Sequence, residues 1–219
     1  VEGLGVSQDR AAAASWFQKA ADQGDAKAQQ QLGVLYEWGE GVKQDYSISA
    51  SWYRKSAEQG DVDGLFGLGT AYEYGLGVEQ DYGAAAALYQ QAADQGSLSA
   101  ELNLGVLYEN GYGVERDHDK AKEWFLRAAL RGHSKAKLNL AALLLNGESR
   151  SRDDEVAAIK FLEEAAAEGL SEAQYNLGVC YEVGQGVMKD LAAAISWFGK
   201  AAGQGFPMAQ FRLATLLAS

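Results

Sequence analysis

Cysteine and proline are almost absent from this sequence of 219 residues, which has one of each. The single cysteine, Cys180, excludes an internal disulfide bond, so no covalent cross-link holds the fold together. The scarcity of proline permits many helices, because proline costs about 3 kcal/mol in a helix interior. Long hydrophobic runs are absent too. No apolar stretch approaches the roughly 20 residues that a membrane-spanning helix needs, so we expect no direct insertion into a membrane.

Positive charge is also scarce. The sequence has 19 Lys and Arg against 30 Asp and Glu, which gives a formal net charge of −11. Such a field repels phosphate backbones and anionic lipid headgroups, so nucleic acid and membrane surfaces are poor partners. A basic or neutral protein fits the charge better. The hydrophobic content of 47% and the charged content of 22% are typical of a globular protein and argue against disorder.

Residue groupings that perform catalysis or bind metal ions are missing as well. The two histidines, His118 and His133, form no His-x-x-x-His pair, and no Cys-x-x-Cys pair exists, so the sequence predicts no metal site and no cofactor. Ser134 and Lys137 match the S-x-x-K motif of penicillin-recognising enzymes, but the accompanying S-D-N and K-T-G motifs are absent. We therefore predict that the protein is not an enzyme and that this match is a coincidence.

Glycine, in contrast, is abundant and occurs at regular intervals. A segment of the type L-G-x-x-Y-E is centred on four glycines, and weaker copies are centred on two alanines. These six anchor residues are Gly33, Gly69, Gly105, Ala141, Gly178 and Ala214. They are separated by 36, 36, 36, 37 and 36 residues. A fixed period of this length indicates an array of repeats.

Each period predicts two helices. An Asp or Ser after a helix-ending glycine, such as Asp25 after Gly24, predicts the N-cap of a first helix, called helix A. A G-x-G-V loop then ends helix A, and Asp45 and its equivalents cap a second helix, called helix B. The anchor glycine lies inside helix A at a cost of about 1 kcal/mol relative to Ala, which close packing of helix A on helix B would offset. We expect core positions at the aromatic residues Trp16, Trp52, Trp124, Trp197, Tyr36, Tyr72, Tyr108 and Tyr181.

These motifs resemble the Sel1-like repeat family. The family pattern A-x-x-x-L-G-x-x-Y-x-x-G-x-G-V-x-x-D, followed by W-[YF]-x-K-A-A-x-x-G, matches essentially the whole chain. The resemblance implies an all-α fold of stacked antiparallel helix hairpins, an α-solenoid with a right-handed superhelix like that of tetratricopeptide arrays. It also implies an adaptor or scaffold role. The compartment is unknown from the sequence, and the resemblance favours a bacterial periplasmic or exported protein.

The chain is interpreted as one array over residues 1–219, with a half repeat at 1–24, full repeats from about 25, 61, 97, 133 and 170, and a lone helix at 206–219. The repeat that starts at 133 has a longer, drifted loop, in which Arg150 and Arg152 would form a basic tip and offer a secondary contact. Apolar residues of the lone helix would meet solvent, so we expect a fragment of a longer protein or end-to-end self-association. These residues are Phe211, Leu213, Leu216 and Leu217.

If the array follows tetratricopeptide geometry, helix A lines a concave groove in which a partner binds. An apolar row precedes the anchors by three residues, a polar row by two, and an acidic row follows them by four. The candidate contact residues are Phe66, Leu102, Leu138 and Tyr175 in the apolar row, Asn103, Asn139, Asn176 and Arg212 in the polar row, and Glu37, Glu73 and Glu109 in the acidic row. The apolar row could equally pack adjacent A helices, and the glutamates could be solvated or could cap loop amides.

The asparagines are harder to explain structurally, because Asn is a poor helix former and has no capping role there. Their amides can donate to and accept from a peptide backbone at once. We therefore predict a non-catalytic scaffold that holds a protein or extended peptide segment, basic or apolar, with its basic end toward the glutamates. Two alternatives stay open. One is a hydrolase of the cell-wall or β-lactam-recognising type, and the other is an architectural spacer between flanking domains.

Overall fold

The computed structural model describes residues 9–147 and 151–218. These residues form twelve α-helices and no β-strand, which confirms the predicted all-α fold. The odd-numbered helices are the B helices and the even-numbered helices are the A helices. Their bounds are α1 Arg10–Asp22, α2 Ala26–Trp38, α3 Tyr46–Glu58, α4 Val62–Tyr74, α5 Tyr82–Asp94, α6 Leu98–Asn110, α7 His118–Leu130, α8 Ser134–Asn146, α9 Arg152–Ala167, α10 Ser171–Val183, α11 Leu191–Gly203 and α12 Pro207–Ala218.

The helices are grouped into two compact units. Unit 1 comprises Val1–Asp117 and contains α1 to α6, and unit 2 comprises His118–Ser219 and contains α7 to α12. Within each unit every helix packs on the next one along the chain, as expected for antiparallel hairpins. In unit 1 the A helices α2 and α4 also pack on each other. The repeats that contain α2 and α4 therefore place their A helices side by side.

Side-chain caps define where the helices begin, as the sequence predicted. Asp25 accepts a hydrogen bond from the backbone N–H of Ala28 at 2.7 Å, and Asp45 does the same for Ile48 at 3.0 Å. Such a cap typically contributes about 1 kcal/mol. The first glycine of each G-x-G-V loop ends an A helix in the left-handed conformation, with φ between 69° and 79° at Gly39, Gly75, Gly111 and Gly184. Local chemistry thus sets most of the helix boundaries; the exceptions are the start of α10 at Leu170, which has no side-chain cap, and the end of α8 at Gly147, which is extended.

A buried side chain of the following B helix explains the anchor glycine. A Cβ atom added at Gly178 in α10 would lie 2.7 Å from Cδ1 of Phe198 in α11, which is too close for two carbon atoms. Gly69 in α4 faces the ring of Tyr89 in the same way, also at 2.7 Å. Helix A therefore gives up helix propensity at this position to let a ring of helix B approach its backbone.

The repeat whose anchor is Ala141 has a larger residue on helix A and a smaller one on helix B. At the position of the ring, its B helix α9 carries Leu162, which is smaller and fully buried. Ala141 is also fully buried, and α8 packs on α9. A smaller partner on helix B thus accompanies a methyl group on helix A.

Three of the four tryptophans of the B helices are not the core residues that the sequence suggested. Trp16 is 67% exposed, and Trp124 and Trp197 are half-buried; Trp52 is buried. The fully buried ring is the next residue in the sequence, Phe125 after Trp124 and Phe198 after Trp197 in unit 2. The expectation that Trp124 is a core residue was therefore wrong.

A basic side chain three residues along the helix covers each of these tryptophans. Lys200 Nζ lies 3.6 Å from the ring centroid of Trp197, and Lys55 Nζ lies 3.8 Å from that of Trp52. This cation–π contact lets a large ring sit at the rim of the core, where it is worth about 0.5–1 kcal/mol. The predicted core tyrosines are half-buried as well.

The remaining structural expectations concern the drifted loop and the last helix. Arg150 lies outside the described residues. Arg152 is exposed at the first position of α9, next to a capping box formed by Ser151 and Asp154. In α12, Phe211 is exposed, as is Leu217, whereas Leu213 and Leu216 are half-buried.

We expect Gly178→Ala to lower the free energy of unfolding by about 1–2 kcal/mol, because overpacking against Phe198 outweighs the gain in helix propensity. Adding Phe198→Leu, which recreates the Ala141 and Leu162 arrangement, should recover part of that loss in a double-mutant cycle measured by urea denaturation. The control is Gly199→Ala in α11, where an added Cβ meets no atom within 4 Å and should stabilise the protein. Equal effects of Gly178→Ala and Gly199→Ala would contradict this account of the anchor.

Candidate protein-binding surface

The apolar row of predicted contact residues packs mainly against the B helices. In unit 1 the half-buried ring of Phe66 lies 5.5 Å from that of Tyr89, measured between centroids. In unit 2 the ring of Tyr175 lies 5.5 Å from that of Phe198 and 5.4 Å from that of Phe206. Both rings are half-buried, so part of each remains exposed.

The two leucines of the same row, Leu102 and Leu138, differ in their solvent exposure. Leu138 is 7% exposed and belongs to the core of unit 2, which is the packing role that the sequence analysis left open for this row. Leu102 is half-buried in α6.

The acidic row accepts hydrogen bonds from tyrosines that the sequence analysis did not single out. Tyr53 donates its hydroxyl to Glu37 Oε2 at 2.6 Å, and Tyr89 donates to Glu73 Oε2 at 2.6 Å. The donors are the same rings that face the anchor glycines. Glu109 is half-buried at the equivalent position of α6. The first two glutamates thus join helix A to helix B and have one carboxylate oxygen already engaged.

The pKa values of these tyrosines are raised, mainly because the side chains are buried. The pKa of Tyr53 and that of Tyr89 are both raised far above the ordinary value, first by burial and then by the hydrogen bond to the glutamate. Thr70 Oγ1 lies 3.2 Å from the hydroxyl of Tyr89, and Thr70 and Asn103 lower the pKa of Tyr89 by smaller amounts. Asn103 of the polar row therefore lies near the Tyr89 hydroxyl in unit 1.

The polar row behaves differently in unit 2. There the B helices that precede Asn139 and Asn176 carry Phe125 and Leu162 in place of the tyrosine, so no hydroxyl is present to bind the amide. Within the described part of the chain, neither of these two side-chain amides has a hydrogen-bond partner. Both residues are half-buried, so their amides are within reach of a ligand.

Arg212, the last member of the polar row, is paired with Glu182. Its Nε lies 3.2 Å from Glu182 Oε2, at an angle that makes an ion pair without a good hydrogen bond. Glu182 occupies the acidic-row position of α10, whose following B helix presents Phe198 in place of a tyrosine. The arginine therefore compensates a carboxylate that has no phenol to bind.

The two A helices that carry the unpaired amides are tied together near their ends. Gln185 Nε2, in the loop after α10, donates to the backbone carbonyl of Leu145 in α8 at 3.2 Å. Asn139 and Asn176 occupy equivalent positions on these helices, one repeat apart. Adjacent helix axes are about 8–10 Å apart, which corresponds to about three residues of an extended peptide. We use the term amide pair for Asn139 and Asn176.

The S-x-x-K residues serve to connect two helices. Lys137 Nζ lies 2.7 Å from Glu168 Oε1 and 3.1 Å from Glu164 Oε2, and Ser134 donates its hydroxyl to Glu168. The pKa of Lys137 is raised, above all by its hydrogen bond to Glu168. A lysine that holds its proton in this way cannot act as the base that activates a serine. The motif thus fastens α8 to α9.

Cys180 is no better placed for chemistry. Its thiol is buried in α10, and burial raises its pKa to about 11, so the nucleophilic thiolate is not formed near neutral pH. Among the described residues there is no cluster of three or more His, Cys, Asp or Glu able to hold a metal ion. None of the described helices combines the length and the apolar character required to cross a bilayer.

The net negative charge is concentrated in one unit. Unit 1 has 18 Asp and Glu against 7 Lys and Arg, a formal charge of −11 that equals that of the whole chain. Unit 2 has 12 residues of each sign and is formally neutral. A basic segment is therefore attracted to unit 1, and a segment bound by unit 2 needs no charge of its own.

The Sel1 repeat profile matches the chain six times in succession, over residues 1–25, 26–61, 62–97, 98–133, 134–170 and 171–206. The chain belongs to the Sel1 repeat family. This finding confirms the resemblance noted in the sequence. Sel1 repeats, like the related tetratricopeptide repeats, generally form protein-interaction scaffolds. No curated protein matches the sequence.

Solved structures include similar Sel1 repeat proteins. A protective antigen of uropathogenic Escherichia coli strains with an SLR fold is 38% identical, with a TM-score of 0.86 over 98% of this chain and 46% of the antigen. The chain thus spans about half the length of that antigen. A Sel1 repeat protein from Oxalobacter formigenes is 30% identical, with a TM-score of 0.81 over 94% of this chain and 87% of that protein.

A TPR protein with an unusual peptide-binding site is more distant. It is 20% identical, with a TM-score of 0.57 over 92% of this chain and 99% of its own. At that identity the likeness concerns the fold.

We expect the stability of the protein to fall above about pH 10, where the tyrosines of the unfolded chain ionise while Tyr53 and Tyr89 keep their protons in the fold. Because the folded pKa is raised, this contribution is fully present below the unfolded pKa and is lost as the pH rises through the folded pKa. The free energy of unfolding should therefore decline less steeply with pH in the Tyr53→Phe and Tyr89→Phe double variant. Urea titrations at several alkaline pH values test this, and an unchanged slope in the double variant would contradict it.

Proposed function

We propose that this Sel1 repeat protein is a non-catalytic scaffold that binds an extended segment of a partner protein along the A helices of unit 2, with the amide pair gripping the segment's backbone. The observation that carries the proposal is the lack of a hydrogen-bond partner for Asn139 and Asn176 among the described residues. In unit 1 the equivalent Asn103 lies near the hydroxyl of Tyr89.

The chemistry of an amide suits a peptide backbone. Each side-chain amide offers two N–H donors and a carbonyl acceptor, and each backbone unit of an extended peptide offers one donor and one acceptor. Two amides one repeat apart would engage two backbone units that are about three residues apart in the peptide. Recognition of this kind depends little on the side chains of the peptide, so it fixes the position of the segment along the groove.

Apolar contacts beside the amide pair would add affinity. Tyr175 directly precedes Asn176, and its ring, supported by Phe198 and Phe206, is half-buried. An apolar side chain of the bound segment could cover the exposed part of that ring. Arg212 and Glu182 border the same face of α10 and α12, where they would favour a segment with polar groups of its own.

We expect peptides selected from a displayed random library for binding to the whole chain to lose about 10–100-fold in affinity toward the Asn139→Ala and Asn176→Ala double variant, because two or more hydrogen bonds are removed. N-methylation of single backbone amides in the peptide should abolish binding at one or two positions, whereas alanine substitution at the same positions should be tolerated. Isothermal titration calorimetry gives the affinities.

The matched control is Asn110→Ala at the end of α6, where the side-chain amide already donates to the carbonyl of Val106 at 2.8 Å. That variant should bind like the unmodified protein, and thermal unfolding should show that all variants are folded. Selected peptides that bind the double variant with unchanged affinity would rule out the amide pair as the binding site.

The hydrolase alternative makes a different prediction. The engagement of Ser134 and Lys137 with Glu168 argues against acylation at the S-x-x-K motif. We expect a chromogenic β-lactam reporter to be hydrolysed no faster by the unmodified chain than by Ser134→Ala. Turnover that disappears in Ser134→Ala would establish the hydrolase and overturn the scaffold proposal.

A further inference from the structure

Four of the five tryptophans carry a cation over the ring, and the fifth does not. In the B helices, Trp16 and its equivalents are each covered by the Lys or Arg three residues later; Lys19 Nζ, for example, lies 4.0 Å from the ring centroid of Trp16. Trp38 lies in an A helix, and no basic side chain of the described residues covers its ring. It is nevertheless 68% exposed, as much as Trp16.

Trp38 does not stand alone on this surface. It is the last residue of α2, and Tyr74 is the last residue of α4 and is 63% exposed. The two helices pack on each other, so the two rings lie one repeat apart on the same side of unit 1. We call Trp38 and Tyr74 the aromatic pair.

The fold does not require aromatic residues at these positions. The equivalent residue is asparagine in two later repeats, Asn110 at the end of α6 and Asn146 at the end of α8. Both helices reach the same length of 13 residues with the polar residue, and α6 ends at a left-handed glycine as α2 and α4 do. Large exposed rings at the ends of α2 and α4 therefore call for an explanation other than packing.

The surroundings of the aromatic pair are acidic. Glu37 and Glu73 directly precede the two rings. Oε2 of each carboxylate accepts a hydrogen bond from a buried tyrosine, and Oε1 takes no part in that bond. The pKa of Tyr74 is raised, first by burial and then by the charge of Glu73, which places that carboxylate close to the Tyr74 hydroxyl. Unit 1 as a whole has a formal charge of −11.

We propose that the aromatic pair, together with Glu37 and Glu73, is a binding site for arginine or lysine side chains in a basic segment of a partner protein. The cation would lie over a ring face, as lysine and arginine do on the other tryptophans, with a carboxylate beside it. Arginine fits best, because its planar guanidinium can stack on the ring and donate to a carboxylate at the same time. The site belongs to unit 1 and does not depend on the amide pair of unit 2.

The test uses the indole N–H resonances of the five tryptophans in NMR spectra of the whole chain. The probe is the blocked peptide acetyl-Gly-Arg-Gly-Arg-Gly-amide, and its counterpart carries citrulline, which has nearly the same shape without the charge. We expect the Trp38 resonance to shift saturably as the arginine peptide is added. The affinity for the citrulline peptide, measured from the same resonance, should be at least fivefold lower. The Trp16 resonance should not shift with either peptide.

Variants locate the site. Trp38→Ala should lower the affinity for the arginine peptide at least fivefold. Trp38→Phe should lower it by less, because phenylalanine still binds cations, although more weakly than tryptophan. Trp16→Ala is the matched control, an equally exposed ring that already has a cation, and it should leave the affinity unchanged. Because Trp38 is exposed, both Trp38 variants should unfold at the temperature of the unmodified protein.

Several results would overturn the proposal. These are equal shifts with arginine and citrulline peptides, equal shifts of Trp16 and Trp38, no shift at all, or unchanged affinity in Trp38→Ala. If the Asn139→Ala and Asn176→Ala double variant no longer binds the arginine peptide, the peptide binds in unit 2 and the site in unit 1 is refuted. Retention of binding in that variant supports the site whether or not the amide pair binds a partner.

Discussion

The packing of one buried side chain from each B helix onto the preceding A helix is the contact on which the rest of the structure depends. It brings the helices close enough for glycine to be required, and it fixes the rotation of each A helix. Since a helix turns about 100° per residue, positions three before and four after the anchor lie about 40–60° from it, beside the ring. Positions two before and five after lie about 140–160° away. This explains why Phe66 and Glu73 contact Tyr89, whereas Asn139, Asn176, Trp38 and Tyr74 remain available.

Helix boundaries and repeat length could be predicted from the sequence because they depend on local chemistry, such as the Asp45 cap and the left-handed Gly39. The choice of core ring could not be predicted. Trp197 and Phe198 are adjacent, large and apolar, and periodicity alone does not say which one faces helix A. The Lys or Arg three residues after each B-helix tryptophan was the available signal, since a cation over a ring favours a place near solvent.

The candidate site was predicted as rows of equivalent residues on successive A helices. The structure shows that residues of the same row can have different contacts. Asn103 lies near a tyrosine hydroxyl, and Asn139 does not, because the B helix before it carries phenylalanine. Glu73 accepts from a phenol, whereas Glu182 needs an arginine. A side chain's availability therefore depends on a residue in another helix. The signal was present in the sequence as the choice of Tyr, Phe or Leu at the buried ring position of each B helix, but its meaning requires the contact to be known.

The pairing of Ala141 with Leu162, where other repeats pair glycine with a ring, also has a consequence for how such an array can diverge. Starting from glycine and phenylalanine, two substitutions are needed, and their order matters. Introducing alanine first drives a methyl group into a ring, whereas introducing leucine first leaves a small gap that the core can partly close. Gradual divergence thus has a preferred direction, with the B helix changing first and the A helix following. Repeats that pair glycine with leucine are the intermediates that this path would leave among relatives.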